Sequence, residues 1–257
     1  MSVVNASFDQ PLKLEEHASM PLAGGMLTMG FQCGQLWGAA LAAGAQAHRL
    51  YGAGPQAETA AIIAAQRLVE SFRGSYKSIN CLDVTQLNFK NAKAMQVLGY
   101  ILKGGVTRCF SMSAGYSRAA RNEIDATFTD TLFADGHPVA PKSPVSCAAL
   151  LAQKMGASEM HTTMAAGFAG GIGLSGGACG ALGAAIWLIA MDESEAGGKL
   201  DWNSPRFTDA IDRMLQESKG EFECAAIVGR RFVDASDHAG YVSAGGCSAI
   251  IEALAAR

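Results

Sequence analysis

The sequence predicts an all-α protein, a helical bundle of two pseudo-repeated halves packed together. Three observations support this fold class. A tract of small, apolar residues occurs twice, at a constant offset of 146 residues. The segments that follow each copy carry apolar residues at helical spacing. Segments with the composition of strands are scarce, and the best of them, 224–228, would also suit a helix.

The repeated tract begins with Leu-Ala-Gly-Gly at 22–25 and returns as Phe-Ala-Gly-Gly at 168–171. Each copy leads without a gap into a Cys-Gly pair, and then into a proline-led stretch and two further cysteines. A cysteine that recurs in this way is a stronger candidate for chemistry than one that occurs once. We place the boundary in the turn-like segment 135–138, which gives halves 1–135 and 136–257.

Local signals place several helices in order along the chain. The segment 57–72 has apolar residues at helical spacing with charged residues between them. Pro55 and Pro205 mark two helix starts, where proline is tolerated. Ser146 is suited to cap a helix over 147–155, and 247–256 predicts a last short helix. The segment 110–139 is the one whose pattern favours no element.

The segment 165–191 contains no charged side chain and is long enough to span a membrane. Its first part is crowded with glycines, which are unfavourable inside a helix. We therefore expect a loop near 173–177 and a helix from 178, both buried in the protein core. A membrane-associated subunit built on this segment is an alternative.

Composition narrows the class of protein. The net charge is −3 and Lys or Arg runs are absent from the sequence, so nothing indicates nucleic-acid binding. The first twenty residues lack a basic region followed by an apolar stretch, so we expect no secretory signal and a cytoplasmic location. Seven cysteines in such a chain indicate reduced thiols, metal ligands or catalysis rather than structural disulfides.

The cysteines form one set in each half. Met1 stands where the first half would have the leading cysteine of the second half. Cys33, Cys147 and Cys179 fall at predicted helix starts, where N–H groups and the helix dipole favour a thiolate. The first set is Cys33, Cys81 and Cys109, and the second is Cys147, Cys179, Cys224 and Cys247.

The second set, with its Cys179-Gly180-Ala181 core, resembles the pattern of the C_GCAxxG_C_C family, small proteins described as redox-active. The resemblance covers 145–257 well and 20–115 more weakly. It implies an internally duplicated redox protein with a complete second half and a degenerate first half. The candidate catalytic residues are then Cys147, Cys179, Cys224, Cys247, Cys33, Cys81 and Cys109.

The function that this predicts is redox chemistry by dispersed cysteines, as electron transfer or as thiol/disulfide exchange. The protein would then be an oxidoreductase with an unknown redox partner protein. A non-catalytic protein that holds a metal or an iron–sulfur cluster in the second set, for storage, delivery or assembly, is the alternative. A third interpretation treats the cysteines as small buried apolar residues. The cofactor stays open between an iron–sulfur cluster, another metal, and none.

Gly170, Gly171 and Gly180 are candidate cofactor contacts, because glycine can expose backbone N–H groups to an anion. Close helix packing would explain the same glycines, and no nucleotide-binding fingerprint accompanies them. His48 and His161 do not recur at the common offset, so we expect surface or capping roles for them. A pseudo-symmetric, apolar chain would also suit a homodimer.

Overall fold

In the computed structural model, which describes residues 1–8, 11–129, 145–196 and 200–256, the chain is all-α and these ranges form no β-sheet. The predicted all-α class is confirmed, whereas the two pseudo-repeated halves stay a prediction. The proposed boundary between halves and the turn-like segment 135–138 lie outside the described residues.

Up to residue 129, the described helices are α1 (Ser2–Ser7), α2 (Lys13–Ala18), α3 (Gly34–Tyr51), α4 (Pro55–Tyr76), α5 (Cys81–Thr85), α6 (Ala94–Leu102) and α7 (Gly105–Thr129), with a 3₁₀ turn at Met20–Leu22. From residue 145, they are α8 (Cys147–Lys154), α9 (Glu159–Ala166), α10 (Gly180–Glu195), α11 (Pro205–Glu217), α12 (Cys224–Val228), α13 (Ala235–Ser243) and α14 (Ser248–Ala255).

The local start signals are confirmed. Helices α4 and α11 begin at Pro55 and Pro205. The Ser146 hydroxyl accepts a hydrogen bond from the Ala149 N–H at 3.2 Å and so caps α8. The segment 224–228 is the helix α12 and not a strand.

Helix α7 fills most of the segment for which the sequence pattern favoured no element. It runs for 25 residues and packs against α4. About half of its residues are polar, and only a narrow stripe of the helix is buried. This stripe includes Tyr116, Ala120 and Ile124, at a spacing of four residues. A narrow apolar stripe in a polar helix is a weak signal in the sequence. Because the helix is long, the stripe still contains enough apolar residues to pack against α4.

The apolar segment 165–191 breaks, as the glycines predict, but the break is longer than expected. Helix α9 ends at Ala166 and α10 begins only at Gly180. Residues 170–174 all have positive φ, and so do residues 24–28 at the matching place in the first half. Side chains disfavour this conformation, so the glycines in both turns reduce its cost, although five of the ten positions carry a side chain. A Cβ atom on Gly171, for example, would overlap the backbone of Gly177.

Helices α3 and α10 form the centre of the molecule, and small residues line most of their length. Helix α3 packs on α4 and on α9, whereas α10 packs on α8 and on α2. Each central helix therefore contacts a helix from the other half. One hydrophobic core includes buried residues from both halves, so neither half buries its apolar surface alone.

Several contacts between the halves join residues that are 146 positions apart. The Gln32 side chain accepts the Ala178 N–H at 3.0 Å and donates to the Gly171 carbonyl at 2.9 Å. His161 Nε2 lies 3.0 Å from Glu15 Oε1. Equivalent positions of the repeat therefore meet each other, as they would across a two-fold axis.

Trp37 and Gly183 are a third pair at this offset. A Cβ atom on Gly183 would overlap the Trp37 ring, which also packs edge-on against Phe168 at 4.7 Å between centroids. A large residue in one half thus fills the space left by a small residue in the other.

Among the described residues, each helix is too short or too polar to cross a lipid bilayer.

Candidate cysteine sites

All four cysteines of the second set lie at helix starts. Cys147 and Cys224 are the first residues of α8 and α12, and Cys179 and Cys247 are the residues that precede α10 and α14. None of the four is in a disulfide. Together with Gly180, Ala181, Ile227, Phe232, His238, Tyr241, Val242 and Ile250, they line an enclosed cavity of about 20 Å³. This volume is enough for about one water molecule.

A short antiparallel pairing brings two cysteines of each set together, Cys179 with Cys224 and Cys33 with Cys81. In the second half, the Cys179 N–H donates to the Phe222 carbonyl at 2.9 Å, and the Cys224 N–H donates to the Gly177 carbonyl at 2.7 Å. In the first half, the same pattern joins Cys33 to Ile79 at 2.7 Å and Cys81 to Phe31 at 2.6 Å. Backbone hydrogen bonds thus bring together cysteines that are more than forty residues apart in the sequence.

The structure contradicts the expectation that the helix starts produce thiolates. Burial, and to a smaller extent the neighbouring Cys147, raise the pKa of the Cys179 thiol to about 12. The N–H groups of Leu182 and Ala181 lower this pKa, as expected at a helix start, but by less than burial raises it. Desolvation of an anion outweighs these hydrogen bonds because the site holds no compensating positive charge among its described lining residues.

The other buried thiols follow the same rule. Burial raises the pKa of Cys33 to about 12, that of Cys81 to about 11 and that of Cys247 to about 12. Burial also raises the pKa of Cys147 and Cys224. Hydrogen bonds from backbone N–H groups lower the pKa of Cys147 by less than burial raises it. The Gly170 N–H is one of these donors. The thiols are therefore protonated at neutral pH.

A tyrosine hydroxyl contacts the last cysteine of each set. Tyr100 Oη lies 3.0 Å from Cys109 Sγ, and the Tyr241 hydroxyl hydrogen-bonds to Cys247. The bond from Tyr241 lowers the pKa of Cys247 against the larger effect of burial. Cys109 and Cys247 are half-buried, whereas the other five cysteines are buried. Each set thus has one accessible thiol, which a tyrosine holds.

The cysteine sequence pattern did not predict these tyrosines, although a signal for them is present. Tyr100 and Tyr241 each begin a Tyr-x-x-x-Gly-Gly sequence, at 100–105 and 241–246. The last glycine is required because a Cβ atom there would overlap the tyrosine ring in both halves. Cys247 directly follows this motif, whereas Cys109 follows about one helical turn later.

His238 is a second residue that the cysteine pattern did not reveal. It is buried and lines the same cavity as the second set. Nδ1 lies 2.9 Å from the Val145 carbonyl, which can only accept, so Nδ1 carries the proton. Burial lowers the pKa of the imidazole, so the ring is neutral and its Nε2 is free of a proton.

The first set lines a larger and more open cavity than the second. Cys33, Cys81 and Cys109 lie on the wall of a cavity of about 520 Å³, together with Met1 and Tyr100. Met1 thus occupies the region of the missing leading cysteine, as the repeat predicts. Of the two cavities that cysteines line, the one in the half that lacks a cysteine is large enough for another molecule.

The predicted cofactor glycines lie in the second half next to the cysteines. The Gly170 N–H donates to Cys147, and the Gly171 N–H donates to the Phe168 carbonyl at 3.1 Å. A Cβ atom on Gly180 would overlap the Phe168 carbonyl. These contacts belong to the close packing of the turn on α10, and a cofactor role for the glycines stays a prediction.

Metal ligation was the alternative use of the second set. In the described ranges, which include all seven cysteines, no three side chains of His, Cys, Asp or Glu are arranged to hold one metal ion. The thiols in this arrangement therefore do not fit a single-ion site.

Comparison with protein families matches residues 1–118 and 145–257 to the family described as "Putative redox-active protein (C_GCAxxG_C_C)". The two matched segments agree with a duplicated arrangement. No curated protein and no solved structure matches the chain.

Proposed function

Since the chain belongs to the redox-active C_GCAxxG_C_C family, we propose that it carries out two-electron thiol/disulfide exchange with a partner protein through the second cysteine set. The observation that supports this most is the arrangement of one half-buried thiol in front of three buried thiols. Cys247 is accessible and held by Tyr241, and Cys147, Cys179 and Cys224 lie around the same small cavity. This is the order that exchange needs, with one thiol to meet the partner and others to resolve the intermediate.

The exchange starts at Cys247. Its thiol loses a proton, and the sulfur attacks one sulfur of the partner's disulfide. The partner's S–S bond breaks, and its leaving sulfur takes up a proton to become a thiol. Cys247 is then joined to the partner in a mixed disulfide. Tyr241 supports this step because its hydroxyl stabilises the Cys247 thiolate.

A second cysteine of the set completes the reaction. Its sulfur attacks Cys247, forms a disulfide within this chain and releases the partner's second thiol with a proton. Two thiols here are thereby oxidised, and the partner's disulfide gains two electrons and two protons. His238 lines the cavity with an unprotonated Nε2, which gives a buried thiol a group to receive its proton. The reverse sequence reduces this chain.

The test is reversible oxidation of protein purified without oxygen and without a metal affinity step. After equilibration with glutathione buffers of stepped potential, peptide mapping should find a disulfide that includes Cys247. Cys247→Ser should abolish this disulfide, whereas Cys33→Ser, in the other set, should leave it unchanged.

Metal content distinguishes the ligation alternative. Iron or zinc near one equivalent per chain that is lost in Cys179→Ser, with no reversible disulfide in the wild type, would contradict exchange. Oxidation that yields only disulfides between separate chains would contradict it as well.

A further inference from the structure

The cavity of the first half has the size of a small-molecule site. Its volume of about 520 Å³ falls in the range of ligand pockets, whereas the cavity that the second cysteine set lines has about 20 Å³. Its walls are mainly apolar and include Val84, Phe89, Val106, Phe110 and Met112. The three cysteines and Tyr100 contribute the polar atoms, together with Thr28, Thr85, Ser113 and Gln35.

Gln35 lines this cavity, and its side chain carries a buried polar atom without a partner. Its side-chain oxygen Oε1 is buried and makes no hydrogen bond to any described residue. An unsatisfied buried acceptor is unfavourable, and a ligand that donates a hydrogen bond would remove this cost. The matching position of the second half, at the offset of 146, is Ala181, which has no such group. The acceptor is thus specific to the larger of the two cavities that cysteines line.

The mouth of the cavity is bordered by exposed apolar side chains. Val106 and Phe110 line the cavity and are 40% and 72% exposed. Helix α6 beside them has no buried residue although its composition is apolar. Isolated apolar residues are common on surfaces, but exposed ones at the mouth of an apolar cavity are typical of a binding site for an apolar molecule. The exposed apolar side chains are Val106 and Phe110 on the cavity wall and, on α6 outside this wall, Met95, Leu98, Ile101 and Leu102.

We propose that the first-half cavity binds a small, largely apolar molecule with one hydrogen-bond donor, of the chemical class of substituted phenols. The apolar body of the molecule lies between Val106 and Phe110, and the Gln35 side chain turns toward the molecule so that Oε1 accepts a hydrogen bond from its hydroxyl. The bound molecule covers Cys33, Cys81 and Cys109. The two halves then differ in role, because the first half binds a small molecule and the second half has the complete cysteine set.

The test is binding of 1-naphthol to the reduced protein, measured by the change in naphthol fluorescence. Naphthalene is the matched probe without a donor. We expect saturable binding at one site per chain and slower alkylation of Cys109 when the site is filled. Gln35→Leu should weaken 1-naphthol binding about five-fold, as expected for one hydrogen bond, and leave naphthalene binding unchanged.

Blocking the cavity provides the second part of the test. Val106→Trp places a large side chain at the mouth and should abolish binding of both probes. Val233→Trp, on a second-half residue that is 81% exposed, is the control and should bind like the wild type. Absence of saturable binding to the wild type, or equal binding by the two tryptophan variants, would overturn the proposal. An equal loss of both probes in Gln35→Leu would overturn the role of the donor.

These measurements involve no turnover and no change in thiol oxidation. Failure of naphthol binding therefore leaves thiol/disulfide exchange in the second half untouched. Failure of Cys247 to form a disulfide likewise has no effect on the binding measurement.

Discussion

The tyrosine on each terminal cysteine is the clearest chemical feature at the scale of single residues. Tyr241 lowers the pKa of Cys247, although burial still raises this pKa to about 12. Tyr100 Oη contacts Cys109 Sγ at 3.0 Å in the first half. One hydroxyl therefore stabilises the anionic form of the only half-buried thiol in the second set, all of whose members are described.

Removing that hydroxyl should make Cys247 less reactive. In Tyr241→Phe the lost hydrogen bond leaves the thiolate less stable, so we expect Cys247 to be alkylated by iodoacetamide about five-fold more slowly at pH 8.5. Mass spectrometry of the Cys247 peptide after timed quenching measures the rate.

Tyr100→Phe is the matched control, because it changes the same group in the other half. It should leave the alkylation rate of Cys247 at the wild-type value. An unchanged rate in Tyr241→Phe, or an equal slowing in both variants, would contradict a direct effect of the Tyr241 hydroxyl.

At the scale of helices and turns, the glycine after the core cysteine decides how closely the left-handed turn can pack. Gly180 is the first residue of α10, and a Cβ atom there would overlap the Phe168 carbonyl. In the first half, a Cβ atom on Gly34 would lie 2.7 Å from the Ala23 Cα atom. Close approach of backbone to backbone is thus part of how each set places its core cysteine.

Gly180→Ala should therefore destabilise the protein although alanine is the better helix former. Neither neighbour is the flexible end of a side chain, so we expect a loss of about 1–3 kcal/mol in the free energy of unfolding. Urea denaturation in the presence of reductant measures it.

Gly240→Ala is the control in a neighbouring helix. Gly240 lies inside α13 with nothing within 4 Å of an added Cβ atom, so this variant should gain about 0.5–1 kcal/mol. Equal stabilisation by both substitutions would show that the turn does not need a glycine at 180.

At the scale of the whole molecule, buried thiols in both halves link stability to pH. The pKa is raised in six cysteines, three of them to about 12, and each keeps its proton in the folded protein at a pH where the unfolded chain loses it. Rising pH then favours the unfolded state. The six are Cys33, Cys81, Cys147, Cys179, Cys224 and Cys247.

Below pH about 8 these thiols are protonated in both states, so they should add no pH dependence to the free energy of unfolding. Above pH about 8.5 the free energy of unfolding should fall as the pH rises. Each buried thiol adds at most about 1.4 kcal/mol per pH unit to this slope. Urea denaturation of the reduced protein between pH 7 and pH 10.5 measures it.

Cys179→Ser removes one titrating group and should reduce the alkaline slope by about one proton. Ala181→Ser, two residues away, alters the same region without removing a thiol and should keep the wild-type slope. A stability that stays constant up to pH 10.5 would contradict the buried, protonated state of the thiols.

Much of the fold could be predicted from local sequence. The capping position of Ser146, the helix starts at Pro55 and Pro205 and the break in the apolar segment are confirmed, because each depends on a few neighbouring residues. Helix α7 was missed because its buried stripe is narrow and its partner, α4, is distant in sequence. The division into two halves stays a prediction, although the helices of both share one core.

The candidate site was predictable in part. The repeat indicated the cysteines, and the structure places the second set around one cavity. It did not indicate His238, which occurs once, and it led to the wrong expectation for Cys179. A helix start favours a thiolate locally, whereas burial, which decides the pKa, depends on the packing of the whole chain.

The sequence by itself determined the family, the helical class, the order of the cysteines and the glycines that permit left-handed turns, because these are properties of residue type and spacing. Only the tertiary structure decided which thiols are accessible, which tyrosine contacts each terminal cysteine and which cysteine set lines an open cavity. The physical reason is that desolvation and cavity volume are set by side chains that are far apart along the chain and meet only when helices of both halves pack into one core.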